Sequence, residues 1–122
     1  MKTNIKATNT ELTSAISEYV GKKLSHIEKK FIDTAPENVS CDVEVGKETT
    51  HHQSGDVYFA EFNLHVGGKF YRARSTQSNL YAAIDNAKTD LESEVRSSKT
   101  KRETMVRKGG RKIKSMLKRL SF

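Results

Sequence analysis

Lys22, His26 and Lys29 fall at i, i+4 and i+7, a spacing that lines them up on one side of a helix, with Lys23 and Lys30 on the flank. Cations in such a row can neutralise phosphates along a polyanion; they do not by themselves move protons or attack carbonyl carbons. A second set, Lys88, Arg96, Lys99, Lys101 and Arg102, lies in residues 78–102, and the base continues through Arg111 and Lys112 toward the C-terminus. Two readings of the first row stand side by side, a solvated helix face and a phosphate-binding one.

Groups for other chemistry are missing from the pattern. There is no paired acid, no nucleophile and base at a usable spacing, and no glycine loop suited to cradling a phosphate. His51 and His52 are adjacent, so they cannot share a helix face, and no Cys-x-x-Cys or His-Glu-x-x-His pattern stands near them. The expectation is a binding protein, not an enzyme, with no metal, no cofactor and no small-molecule substrate.

Charge is distributed unevenly. The 122 residues carry a net charge of +7, but residues 1–95 hold eleven Lys/Arg against fourteen Asp/Glu while residues 96–122 hold eleven against one. Base gathered at one end attracts nucleic acid, an anionic membrane surface or an acidic protein. The single Cys41 has no internal disulfide partner, and no long apolar run or charged-then-apolar leader occurs. These features fit a reducing, cytoplasmic setting without membrane insertion. At this length one modest core is expected.

The elements that must position the cations follow from periodicity. Residues 1–7 alternate as a short strand, with Thr3, Ile5 and Ala7 on one side. Asn9 or Thr10 is expected to cap a helix over residues 11–30, buried along Leu12, Ile16, Val20, Leu24, Ile27 and Phe31. Val39, Cys41, Val43 and Val45 alternate as the next strand, which places the thiol in the core. Residues 56–66 and 69–75 read as a hairpin closed by Gly67-Gly68, with Val66 facing Lys69, Leu64 facing Tyr71 and Phe62 facing Ala73. Tyr58, Ala60, Phe62, Leu64, Val66, Tyr71 and Ala73 then point to the core. Phe59, Glu61, Asn63, His65, Phe70, Arg72 and Arg74 occupy the other side, with Glu61 opposite Arg74 as a cross-strand ion pair.

Residues 78–102 form the most regular stretch. Leu80, Ala83, Ile84, Ala87, Leu91 and Val95 recur at three- and four-residue steps, and Ser78 or Asn79 can cap the helix they define. Asp85 reads as a polar flank or cap partner near its start. The fold class is therefore α+β in the order β-α-β-β-β-α: a mainly antiparallel four-stranded sheet, two helices packed side by side on one face, and a basic C-terminal tail. The domain is expected over residues 1–102. Residues 103–122 are expected to be a basic amphipathic tail, flexible when free, for which membrane-surface docking is a rival use.

The stretch Asn79-Leu80-Tyr81-Ala82-Ala83-Ile84-Asp85, with Leu91, Val95, Arg96 and Lys99, resembles the Asp-Met/Leu-Tyr-x-Ala-Ile-Asp opening and the continuation seen in the ribosome hibernation-promoting factor and ribosome-associated inhibitor family, the ribosomal subunit interface proteins. Asn4-Ile5, Ala15-Ile16, Val20, Lys23-Leu24 and Glu28-Lys29 fit the same family more loosely. A monomer is expected when the protein is free, and the resemblance implies that it binds the small ribosomal subunit and its ribosomal RNA in the messenger and transfer RNA channel and silences translation under stress or in stationary phase. General binding of structured RNA is the alternative. It also implies RNA-facing roles for Lys23, Lys29, Arg96 and Lys99, to which helix geometry adds Lys22, Lys30, Lys88, Lys101 and Arg102, and the tail adds Arg111 and Lys112. Asp90, Ser93, Glu94 and His26 depart from the family's usual residues, and the chain resembles its short form.

Overall fold

The computed structural model describes residues 1–48 and 55–98. Strand β1 (Lys2–Thr8), helix α1 (Ser14–Phe31), a 3-10 turn (Pro36–Asn38) and strands β2 (Val39–Lys47), β3 (Tyr58–Val66) and β4 (Lys69–Gln77) follow in order, and helix α2 is described over residues 80–98. The strands form one sheet in the order β1-β2-β3-β4, in which β1 is parallel to β2 and the other neighbours are antiparallel. The architecture is the β-α-β-β-β-α arrangement expected from the periodicities.

One sheet face is apolar because successive strand residues alternate sides. Cys41, Val43, Val45, Ala60, Phe62, Leu64 and Ala73 are buried there against Ile16, Val20, Leu24 and Ile27 of α1 and Leu80, Ala83, Ile84, Ala87, Leu91 and Val95 of α2. Burial pushes the Cys41 thiol up to about 12, so it behaves as a small core hydrophobe rather than a nucleophile. The hairpin register matches the expected one, with Val66 opposite Lys69, Leu64 opposite Tyr71 and Phe62 opposite Ala73. Of the two turn glycines only Gly67 has positive φ, at 60°, as a turn with its strain at the first central position requires.

Three expectations are corrected. Helix α1 begins at Ser14, not near residue 11, and its N-cap is Thr13, whose hydroxyl accepts from the Ile16 amide at 3.2 Å. Asn9 cannot serve as a cap because it takes a left-handed φ of 59°, whereas an N-cap residue is extended. Leu12 therefore precedes the helix and is exposed rather than part of its buried stripe. Glu61 does lie opposite Arg74 in register, yet it accepts from Arg72 Nε at 2.8 Å, while Arg74 pairs with Glu48 at 2.6 Å. Diagonal neighbours are within reach of long side chains, and this arrangement leaves the Arg74 guanidinium 4.3 Å above the Phe59 ring. Phe59, on the face away from the helices, is buried by that cover although it faces outward from the core. Helix α2 is capped by Asn79, whose side-chain oxygen accepts from the amides of Tyr81 at 2.8 Å and Ala82 at 3.3 Å.

Two substitutions test this packing. Leu91→Asp puts an unpaired charge at a fully buried position and is expected to unfold the domain, since that cost is several kcal/mol against a total stability of about 5–15 kcal/mol; far-ultraviolet circular dichroism checks it. A Cβ at Gly46 would lie 2.3 Å from the Thr8 carbonyl oxygen and 2.9 Å from the Phe59 ring. Gly46→Ala is therefore expected to lower stability by about 1–3 kcal/mol in a denaturant titration, the range typical of overpacking.

Candidate nucleic-acid interface

The two helices run parallel. Strands β1 and β4 point the same way, because β1 and β2 are parallel and two antiparallel steps separate β2 from β4. Each helix folds back over the sheet after one of those strands. The contacts between them rise together in residue number: Tyr19 and Lys23 meet Asp85, and Glu92 feels the charges of His26 and Lys30.

Asp85 is the centre of the seam. Its carboxylate accepts from the Tyr19 hydroxyl at 2.6 Å and pairs with Lys23 Nζ at 3.1 Å. The Lys23 ammonium also lies 4.8 Å from the centre of the Tyr19 ring, and Tyr81 meets Tyr19 edge to face with centroids 4.9 Å apart. Burial alone would raise the Asp85 pKa, but the Tyr19 hydrogen bond and the Lys23 charge outweigh it and hold the carboxyl below its ordinary range. The same contacts raise Lys23 and Tyr19, chiefly through the hydrogen bond each makes to Asp85. One turn further along, Lys88 pairs with Glu92 at 2.6 Å, which lowers the Glu92 pKa. Asp85 is thus not simply a helix-start flank, as its position suggested. It joins α2 to α1.

This sorting divides the candidate cations. Lys22, Lys29 and Arg96 are exposed and have no carboxylate partner among the described residues. Lys30 is exposed and its ammonium lies 5.6 Å from the Phe31 ring centre. Lys23 and Lys88, expected from sequence to belong to the same surface, are half-buried and engaged by Asp85 and Glu92. Lys99, Lys101, Arg102, Arg111 and Lys112 lie outside the described residues, as do His51, His52 and the whole of the expected tail. Asp90 and Glu94 are five and nine positions beyond Asp85, which turns them roughly 140–180° around the helix to the flank away from α1. The uncompensated candidate cations therefore lie on α1 and the outward edge of the seam. Among the described residues no cluster of three or more metal-ligating side chains occurs, and no helix is long and apolar enough to cross a membrane.

Periodicity does not reveal the Tyr19, Lys23, Tyr81 and Asp85 cluster. A signal was present, since Tyr19 and Lys23 are four apart on one helix and Tyr81 and Asp85 are four apart on the other, but pairing them requires knowing that the helices run parallel.

Asp85→Asn tests the seam through pH. A carboxyl held low in the fold adds stability that is full above its unfolded pKa and disappears as pH falls through the lower folded pKa. The wild-type advantage over Asp85→Asn is accordingly expected near neutrality and expected to vanish on acidification through and below the ordinary carboxylate range. Thermal melts of both proteins across that range check it. An advantage unchanged in acid would show that the Asp85 charge contributes nothing.

Known proteins share this geometry. The sequence profile of the family described as Sigma 54 modulation protein / S30EA ribosomal protein matches residues 3–103. A curated relative, the ribosome hibernation promotion factor of Lactococcus lactis subsp. cremoris (strain MG1363), is 30% identical over 101 residues, which is 79% of this chain and 48% of that protein. The chain thus spans about half the length of that relative. Among solved structures, the N-terminal domain of Thermus thermophilus Protein Y superposes with a TM-score of 0.65 at 28% identity, covering 78% of this chain and 96% of that one. A ribosomal subunit interface protein from Coxiella burnetii shares the fold, with a TM-score of 0.61 at 16% identity over 82% of this chain and 99% of that one. With the profile matched across nearly the whole β-α-β-β-β-α unit, the chain belongs to the Sigma 54 modulation protein / S30EA ribosomal protein family.

Proposed function

We propose that this protein binds the small ribosomal subunit, occupies its messenger and transfer RNA channel and keeps ribosomes inactive under stress or in stationary phase. The observation that carries this reading is a combination: a family match to residues 3–103 and, on the helix pair of that same unit, exposed cations that no carboxylate among the described residues neutralises. Lys22, Lys29, Lys30 and Arg96 contact phosphates of ribosomal RNA. Lys23 ties α1 to α2 through Asp85 and Lys88 is engaged by Glu92 of its own helix, so their part in RNA binding is indirect. Basic residues beyond the described helix, Lys99, Lys101, Arg102, Arg111 and Lys112, extend the contact. An A-form RNA surface suits such a platform, because its shape and phosphates are accessible where its deep major groove is not. The protein acts as a binding factor rather than an enzyme, as a monomer in the cytoplasm.

The mechanism is competition for space. A protein seated in the channel by phosphate contacts excludes messenger and transfer RNA without altering either, and release needs only that those contacts be broken. Because each neutralised phosphate frees condensed counterions, affinity falls as salt rises.

Replacing Lys22, Lys29, Lys30 and Arg96 together by Gln is expected to leave the fold intact, since exposed substitutions shift stability by less than about 0.5 kcal/mol each. The slope of log K against log salt for small-subunit binding is expected to flatten by roughly three units, at about 0.7–0.9 for each phosphate left without its cation. The variant should also fail to inhibit cell-free translation. Wild-type slope and inhibition in this variant would overturn the assignment of the helix-pair surface. Equal binding to free structured RNA and to subunits would instead identify a general RNA-binding protein.

A further inference from the structure

Three large apolar side chains are exposed among the described residues: Leu12, Phe70 and Tyr81, at 37%, 54% and 40%. Leu12 lies before α1 and Phe70 lies on the open side of the sheet beside His65. Only Tyr81 belongs to the helix-pair surface. Its backbone is fixed by the Asn79 cap, whose side-chain oxygen accepts from the Tyr81 amide at 2.8 Å. Its ring is held by edge-to-face contact with Tyr19 at 4.9 Å and 85°. Tyr19 is in turn anchored by its hydroxyl to Asp85 at 2.6 Å, with Lys23 over its face. An exposed aromatic ring on this much scaffolding is preorganised, so little rotamer freedom remains to be lost when a flat partner lies on it.

The local charge says what kind of partner. Lys23 and Asp85 neutralise one another at 3.1 Å, so the ground around Tyr81 offers an aromatic surface rather than net positive charge. Lys22, about 100° around α1 from Lys23, is exposed and without a carboxylate partner among the described residues. Phosphate-binding and stacking surfaces therefore belong to the same helix pair without coinciding. That division suits a nucleotide whose base is unstacked from its neighbours: the phosphate is drawn by the exposed cation, and the uncharged base lies on the ring.

The geometry points to Tyr81, braced by Tyr19, as the stacking platform for an unpaired RNA base at the edge of the helix-pair interface. This rests on the ribosome-binding reading for the source of the RNA but not for the stacking itself. It gives the interface a second, salt-insensitive contact beside the phosphate contacts. It also implies that the protein meets RNA where a base is splayed out, in a loop, bulge or single strand, as well as along a duplex backbone.

The test uses the full chain. It contains four Tyr and no Trp, so its ultraviolet emission comes from tyrosine and a base stacked on Tyr81 quenches part of it. The wild-type protein, Tyr81→Phe and Tyr81→Leu are compared, the last keeping apolar bulk without an aromatic face, with thermal melts to establish that each is folded. Each is titrated at low salt with a ten-nucleotide adenosine oligoribonucleotide and, separately, with small ribosomal subunits. Stacking predicts quenching of wild-type emission by the oligonucleotide that is lost in Tyr81→Phe. It also predicts subunit binding by Tyr81→Phe close to wild type. Tyr81→Leu should bind subunits about 5- to 150-fold more weakly, the range for removing one base–aromatic stack, with the salt slope unchanged because every phosphate keeps its cation. Subunit affinity for Tyr81→Leu within twofold of wild type, with no Tyr81-dependent quenching, overturns the stacking and leaves the ribosome reading standing. Weakened subunit binding without quenching also overturns it, by assigning Tyr81 to a ribosomal protein contact. Tyr81-dependent quenching in a protein that fails to bind subunits supports the stacking and removes the ribosome reading.

Discussion

One constraint governs the rest of the structure: the sheet has one face whose centre is apolar and has to be covered. Four strands about 4.8 Å apart measure roughly 19 Å across, and a helix with its side chains is about 10 Å thick, so two helices are needed and two suffice. They come after β1 and after β4, strands that run in the same direction. Parallel helices with a common seam follow from that connectivity. Every described feature of the candidate interface lies on the surface those two helices present away from the sheet.

Parallel neighbours bring an electrostatic difficulty, because their macrodipoles lie side by side with like ends adjacent. The chain answers it twice. Lys29 and Lys30 occupy the last turn of α1, where cations complement the dipole, and Arg96 lies late in the described part of α2. Asp85 in the early part of α2 ties that helix to Lys23 and Tyr19 of α1. The same residue types thus serve structure and binding. A cation engaged by an acid within the fold can reach a phosphate only by giving up that partner. This is why Lys23 and Lys88 stand apart from Lys22, Lys29 and Arg96.

The two sides of the molecule differ in how their arginines are held. On the open side of the sheet, Arg72 is paired with Glu61, and Arg74 is paired with Glu48 while capping Phe59. The arginines there shield an aromatic ring and satisfy carboxylates. On the helix side, exposed cations remain uncompensated among the described residues, beside an aromatic ring that is also exposed. Charge available to a polyanion is a property of pairing, and among the arginines the pairing favours the helices.

Periodicity alone determined the element types, their order, the buried stripe of α2, the hairpin register and the core position of Cys41, because alternation and the 3.6-residue repeat are local and strong in Leu80, Ala83, Ile84, Ala87, Leu91 and Val95. It also identified Lys22, Lys29, Lys30 and Arg96 as outward-facing, since a cation opposite an apolar stripe has nowhere else to go. The start of α1 differs from the expected one, because Asn9, Thr10 and Thr13 all carry capping side chains and the bond that Thr13 accepts from the Ile16 amide decides among them. Tertiary structure alone decided which carboxylate each cation meets. Glu61 chose Arg72 over Arg74 by diagonal reach, and Asp85 chose Lys23 and Tyr19 across a seam that exists only once the helices are laid parallel. Ion pairs between elements depend on direction and offset, which no single segment encodes, and so the division between structural and available charge became legible only in three dimensions.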